Sequence, residues 1–291
     1  MPRSRVFRLG LVVLPLVLLP QASHGQRGTV LESRSFQAPA LEAVLEYSVY
    51  LPPGYDQEDR SYLTVYLLHG YGGDHTNWVR MGDAALTADS LIAEGSIPPV
   101  ILVMPDGRNS FYVDSDPDVG FGAFETAIVH DLVSHVDSSY RTVRSRRGRM
   151  IAGLSMGGYG AIHLALKYPG QYGAAASLSG AHPRGEPERQ DIFSPAFGDP
   201  FDPARWEEEN PFNWISRLKE SGLRLPVYLT VGDDDAPWLY EGSVDFYTAL
   251  QEAEIPAELR ITDGPHSWEV WDAALAETLT FFAGVFRARY F

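Results

Sequence analysis

Cysteine is absent from the 291-residue chain, and that absence removes thiolate nucleophiles, thiolate metal sites and disulfide staples together. Any nucleophile here has to be an oxygen, and the hydrophobic core has to hold the fold unaided. Cations are also short: 23 Lys and Arg stand against 38 Asp and Glu, a formal charge of −15. Nucleic acid and anionic membrane surfaces are therefore poor partners, because both are bound through clustered positive charge. A membrane-spanning run is lacking as well. The apolar stretch 9–19 is about half the roughly 20 residues that cross a bilayer, and Pro15 interrupts it.

What is present at that end has a different logic. Arg3, Arg5 and Arg8 precede the apolar stretch and Ser23-His24-Gly25 follows it, the three-part layout of a secretory signal peptide. Residues 1–25 are expected to be a cleaved export signal, with no nearby cysteine to take a lipid. The mature protein is expected to be secreted or periplasmic, with no stable membrane anchor. It would carry 20 basic and 38 acidic side chains, a formal −18. Residues 26–291 are long and apolar enough for one domain with a large core.

Apolar, β-rich segments at 45–51, 63–68, 100–104, 150–154, 174–178, 227–231 and 258–261 alternate with helical patterns at 125–136, 158–168, 243–253 and 271–286. That alternation predicts an α/β fold, a mostly parallel sheet flanked by helices in one domain. The least regular stretch, 181–211, is rich in proline, glycine and acids, and reads as a lid over the sheet edge or as a surface excursion.

Gly153-Leu154-Ser155-Met156-Gly157 has G-x-S-x-G spacing, with an apolar strand before it and a helix after it. A sharp turn that lifts a serine hydroxyl out of a sheet needs glycines where a β-carbon would crowd strand against helix. Ser155 is the expected nucleophile. Acyl transfer then needs two N–H groups where negative charge develops on the carbonyl oxygen. Met156, next to the serine, is one expected donor. The backbone of Tyr71, in the glycine-rich loop after Leu67-Leu68-His69-Gly70, is the other. His69 is read as a residue that holds this loop.

In such hydrolases the triad runs serine, acid, histidine along the chain, which leaves His163, His182 and His266 as candidate bases. His163 lies in the helix after Ser155 and His182 precedes a suitable acid, so His266 is chosen. The strand 227–231 runs into Asp233-Asp234-Asp235, from which Asp235 is chosen, with Asp234 as the alternative. Three adjacent carboxylates repel, and exposing two of them is the simplest resolution. A calcium site is a poor reading of this run without further oxygen ligands, and no metal or cofactor is expected.

Tyr50-Leu51-Pro52-Pro53-Gly54-Tyr55, Leu67-Leu68-His69-Gly70, Val103-Met104-Pro105-Asp106-Gly107, Tyr140-Arg141, the stretch 152–160 and Gly264-Pro265-His266-Ser267-Trp268 together resemble the putative-esterase family of the α/β-hydrolase superfamily. That family takes in feruloyl and acetyl-xylan esterases, tributyrin esterases, S-formylglutathione hydrolases and mycolyltransferases. The resemblance covers nearly all of the chain after residue 25. It implies an α/β-hydrolase fold, an acid third after a strand-end glycine, matching Asp235, and oxyanion donors matching Tyr71 and Met156. The connection after Asp235 looks longer than usual, which keeps Asp234 open. His69-Gly70, where mycolyltransferases usually show Asp-Gly, argues against that branch. The export signal argues against the generally cytosolic S-formylglutathione hydrolases.

The expected function is hydrolysis of short-chain or carbohydrate-linked acyl esters, feruloyl esters included, through an acyl-enzyme on Ser155. The alternative is transfer of that acyl group to a sugar or lipid hydroxyl. A non-catalytic relative would lack a triad residue, and none is missing. Trp78, Phe111, Tyr112, Trp238 and Tyr240 are candidate pocket residues at the sheet edge. Glu125 and Asp131 are read as structural ion partners, and Trp268 and Trp271 as packing that orients the His266 loop.

Overall fold

Four hexapeptides and one pentapeptide with every residue buried make the centre of the molecule: β3 (Leu63–Leu68), β4 (Val100–Pro105), β5 (Arg149–Leu154), β6 (Ala174–Leu178) and β7 (Val227–Gly232). Strands buried on both faces need helices on both faces, the condition of a parallel sheet. The computed structural model describes residues 27–290 apart from 117 and 119, so the expected signal 1–25 lies outside the described residues.

Preceded by β1 (Thr29–Ala38) and β2 (Ala43–Leu51) and followed by β8 (Ala257–Thr262), these strands form one eight-stranded sheet in the order β1-β2-β4-β3-β5-β6-β7-β8. The β1–β2 and β2–β4 pairs are antiparallel; the other five pairs are parallel. The α-helices are α1 (Asn77–Arg80), α2 (Ala84–Ala93), α3 (Phe124–Thr126), α4 (Val133–Ser139), α5 (Met156–Lys167), α6 (Gln190–Phe193), α7 (Pro203–Glu209), α8 (Trp214–Ser221), α9 (Pro237–Glu252) and α10 (Trp268–Tyr290). A π-helical segment, Ala127–Leu132, joins α3 to α4. The two-residue period of the strands divides their side chains between two cores. Tyr66 and Leu68 of β3 face α4, α5 and α9, and Val65 and Leu67 face α2 and α10. No helix among the described residues is long and apolar enough to cross a membrane.

The expected strands are all present, with small differences at their ends, and the α/β fold is the observed one. β1 was not anticipated. It is a mostly exposed edge strand, Thr-Val-Leu-Glu-Ser-Arg-Ser-Phe-Gln-Ala, bulged between Leu31 and Arg34, so it carries no clean apolar alternation. α9 begins six residues before the expected 243, at Pro237, whose fixed φ suits a first helical position.

The stretch 181–211 contains α6 and α7 and is anchored by aromatic side chains. Phe193, Phe197 and Trp206 are fully buried, and Phe193 stacks on Phe111 with centroids 4.5 Å apart. A buried charge cluster also secures it. Lys167 of α5 lies 2.8 Å from Glu125 and 2.7 Å from Glu209 at the end of α7, and His163 Nε2 lies 2.8 Å from Glu125. Glu125 is therefore a structural ion partner as expected. Asp131 has no cationic partner among the described residues: it accepts a hydrogen bond from the Ala40 amide at 2.8 Å.

Candidate active site

β5 ends at Leu154 and α5 begins at Met156, leaving Ser155 to make the turn alone with φ 54° and ψ −117°. Backbone strain of this kind persists only where surrounding contacts fix it. Here the Ser155 amide donates to Leu178 O at 2.8 Å and its carbonyl accepts from Ala181 at 3.2 Å. Close packing explains the flanking glycines. A β-carbon on Gly153 would stand 2.2 Å from Gly157 O, and one on Gly157 would stand 2.4 Å from Leu68 O.

The hydroxyl so displayed meets His266. That residue sits in the turn between β8 and α10, with Nε2 3.0 Å from Ser155 Oγ. Its Nδ1 lies 3.0 and 2.9 Å from the two carboxylate oxygens of Asp235. Asp235 is buried while Asp233 and Asp234 are exposed, so three neighbouring acids are told apart by position. Burial pushes the Asp235 carboxyl up, but hydrogen bonds from His266, Ser179 and the Ala236 amide outweigh it and hold the group below the ordinary range. Asp233 braces the histidine turn from outside by accepting from the Gly264 amide at 3.0 Å.

The loop after β3 lies against the same serine. A β-carbon on Gly70 would fall 3.4 Å from Ser155 Cβ. Neither the Tyr71 nor the Met156 amide has an acceptor among the described residues, and the first amides of a helix such as α5 have no intrahelical partner. His69 is buried and holds this loop as expected. Its Nε2 accepts from the Gly107 amide at 2.8 Å, which leaves Nδ1 to donate to Gly70 O at 2.8 Å. Asn109 does similar work that the sequence analysis missed: its Oδ1 accepts from the Gly72 amide at 2.7 Å. Its only signal was a polar residue in the loop after β4, at the same edge of the sheet.

Residues 38–282 match the model of the family described as Putative esterase. The chain belongs to that family. It is 26% identical to an acetyl esterase of Caldicellulosiruptor saccharolyticus over 79% of this chain and 86% of that protein. It is 36% identical to an endo-1,4-beta-xylanase/feruloyl esterase of Xylanibacter ruminicola over 46% of this chain, a match that spans only 19% of that longer protein. Among solved structures, a ferulic acid esterase superposes with a TM-score of 0.77 at 25% identity, over 89% of this chain and 99% of that one. The fold is the α/β-hydrolase fold.

Three of the expected pocket residues in this esterase-family chain are core residues instead. Trp78 is buried beneath the loop after β3, donating Nε1–H to Leu68 O at 3.0 Å and packing on Trp268. Tyr112 is buried too, with its hydroxyl on His69 O at 3.1 Å. Phe111 is likewise enclosed, against Tyr159, Phe193 and Phe197. Loops that must stay rigid need bulky supports, and a strand-end aromatic reads the same in sequence whether it supports a loop or lines a pocket. Trp238 and Tyr240 are half-buried in the first turn of α9. Trp238 lines a cavity of about 200 Å³ with Pro183, Arg184, Phe193 and Glu241. A larger open cleft, about 790 Å³, lies at the opposite end of the sheet around Pro226, Pro256 and Phe281, away from Ser155.

Glu125, His163 and Glu209 come close enough to share a metal ion. The Lys167 ammonium already bonds both carboxylates, which gives the cluster its cation.

His182, excluded as a base by its place in the chain, is buried beside the serine turn with Nε2 2.8 Å from Ser177 Oγ. Burial pushes its pKa down from 6.5 to about 3. A folded-state value below the unfolded one means that its contribution to stability is complete above pH 6.5 and is lost as pH falls towards 3. The loss amounts to on the order of 5 kcal/mol by pH 3. The His182→Gln variant is expected to show a flatter fall in urea midpoint between pH 7 and pH 4 than the parent. Parallel midpoint curves for the two proteins would contradict this.

Proposed function

We propose that this chain is an exported serine esterase that hydrolyses carboxylic esters through an acyl-enzyme on Ser155. The observation that carries the reading is the continuous Asp235–His266–Ser155 contact chain, with links of 2.9 to 3.0 Å, beside the Tyr71 amide of the loop after β3 and the Met156 amide at the start of α5, neither of which has an acceptor among the described residues. His266 Nε2 takes the Ser155 proton as Oγ attacks the ester carbonyl, and returns it to the departing alcohol. Water then adds to the acyl-enzyme with His266 again as base, and the acid leaves. Asp235 holds the imidazole tautomer and balances the imidazolium charge. The Tyr71 and Met156 amides receive the oxyanion, and losing one such donor typically costs about 2.7–4 kcal/mol of transition-state stabilisation.

The substrate class proposed is short-chain or carbohydrate-linked acyl esters, feruloyl esters among them. It is supported by the acetyl and feruloyl esterase names of the relatives. Export is supported by the Arg-rich, apolar and small-residue layout of 1–25.

The test is made on protein recovered from the exported fraction. Initial rates on p-nitrophenyl esters of increasing acyl length and on methyl ferulate are measured, followed by intact and peptide mass after a fluorophosphonate. Turnover of at least one ester, one adduct on Ser155 and a chain starting near Gln26 are expected. An adduct elsewhere would sink the nucleophile assignment, and product formed only when a sugar or lipid alcohol is added would favour acyl transfer.

A further inference from the structure

We propose that β8 is an interface between two copies of this chain, which pair antiparallel about a two-fold axis through Leu259 and join their sheets into one. β8 ends the sheet order and has β7 as its neighbour on one side alone. In a parallel strand alternate residues turn both backbone groups to the same side. Pro256 O accepts from the Val227 amide at 2.9 Å and Thr262 O from the Asp233 amide at 2.8 Å, so the even-numbered residues face β7. The amides and carbonyls of Ala257, Leu259 and Ile261 therefore face outwards. Among the described residues, Ala257 O and Leu259 O meet the exposed side chains of Gln251 and Arg260, each at 3.3 Å, and a carbonyl oxygen can accept a second bond.

Monomeric proteins usually blunt such an edge. β1, at the other end of the sheet, is blunted: it is bulged between Leu31 and Arg34, with Ser33 at φ 54°. β8 keeps an unbroken register with β7 from Ala257 to Thr262 and contains no proline. Ile261 is 48% exposed. The open cleft of about 790 Å³ borders the strand at Ala257 and Glu258, which leaves that end of the edge accessible.

The choice of occupant rests on charge. A net −15 opposes association of copies through most surfaces, so self-pairing needs a local match, and β8 supplies one. Glu258 and Arg260 are exposed on one face of the strand, with Arg260 Nη2 2.8 Å from Glu258 Oε2. Leu259 is the middle of the three outward-facing residues. With the axis through it, Ala257 lies opposite Ile261 of the partner subunit, and these residues exchange bonds through their outward groups. Glu258 then stands opposite Arg260 of the partner subunit in a non-hydrogen-bonded pair, where side chains approach closest. Symmetry makes that ion pair twice. An axis through Glu258 would set two glutamates face to face, and one through Arg260 two arginines. The charges thus select one register among those that the backbone allows, and in it Ile261 gains an apolar neighbour.

Sedimentation velocity over about 1–100 μM tests this on the parent, on Glu258→Arg, on Arg260→Glu, on an equimolar mixture of those two variants, and on Ile261→Pro. The parent is expected to be a dimer. Each charge variant alone sets like charges opposite each other at both symmetric positions, and its dimer Kd should rise by about 10- to 100-fold. Mixing them should recover the dimer, because the chain with two arginines then faces the chain with two glutamates. A variant that had merely misfolded would not recover. Ile261→Pro deletes an outward donor and no bond to β7, so it should lose the dimer while keeping the parental far-ultraviolet signal. A parent that sediments as a monomer throughout overturns the proposal. So does a dimer whose Kd none of the variants changes, and so does a mixture that stays as weakly associated as its components.

Discussion

Ser155→Ala is expected to lower kcat/KM on the best ester by on the order of 10⁶-fold, and Asp235→Asn by about 10⁴-fold, with Asp234→Asn within about twofold of the parent. The three figures differ for structural reasons. Alanine removes the attacking oxygen while leaving the Tyr71 and Met156 amides and whatever ground-state contacts the ester makes. Asparagine at 235 keeps the shape and the hydrogen-bond distance to His266 Nδ1. Its amide group can donate to that nitrogen, however, and a ring that accepts at Nδ1 carries its proton at Nε2, the atom 3.0 Å from Ser155 Oγ. The base is then in the wrong tautomer to take the serine proton. Asp234 is exposed, and its backbone amide, not its carboxylate, touches the His266 turn through Gly264 O at 3.2 Å. Steady-state kinetics on the three purified variants, each checked for an unchanged Tm, decide the matter. An Asp234→Asn enzyme crippled as severely as Asp235→Asn would mean that the acid has been chosen wrongly.

This contrast also marks what was legible in the sequence. The serine turn announced itself because its glycines are demanded by backbone contacts under 2.5 Å, and such demands restrict residue type at fixed spacing. The five central strands did so because both of their faces are buried. The choice among Asp233, Asp234 and Asp235 rested on counting from Gly232, whereas in space one of the three is buried and bonded to the Ala236 amide and to His266. β1 was invisible because an edge strand with an exposed face keeps no alternation. Trp78 and Tyr112 were misplaced because burial beneath a loop depends on which elements cross above it, and no local pattern encodes that. Asn109 was missed for a related reason: it acts on a residue 37 positions away.

The charge cluster that anchors the stretch 181–211 suggests the other large effect. Lys167→Met is expected to destabilise the fold by about 3–5 kcal/mol, the usual result of removing one partner from a buried ionic cluster. Lys167 is the ammonium shared by Glu125 and Glu209, and its removal leaves two carboxylates in enclosed surroundings beside His163 and Tyr168. In the intact protein burial pushes the Glu125 carboxyl up, but His163, Lys167 and Tyr168 together bring it down to about 2. That value lies below the unfolded 4.5, so the stabilisation it represents is complete above pH 4.5 and is lost as pH falls towards 2. Without Lys167 the folded-state value rises, and the stability deficit of the variant should narrow as the medium becomes acid. Urea unfolding of parent and variant at pH 7 and pH 4 tests both statements. Glu125→Gln in the Lys167→Met background should recover part of the loss at pH 7, because it removes one uncompensated charge. A deficit that stays constant with pH, and no recovery in the double variant, would show that Lys167 acts through its ammonium's contact with the Trp214 ring and not through the two carboxylates. Because Glu209 ends α7 and Tyr159 of α5 donates to its carbonyl at 2.7 Å, the same substitution should loosen this stretch before it unfolds the sheet, so that proteolysis within 181–211 precedes loss of the far-ultraviolet signal.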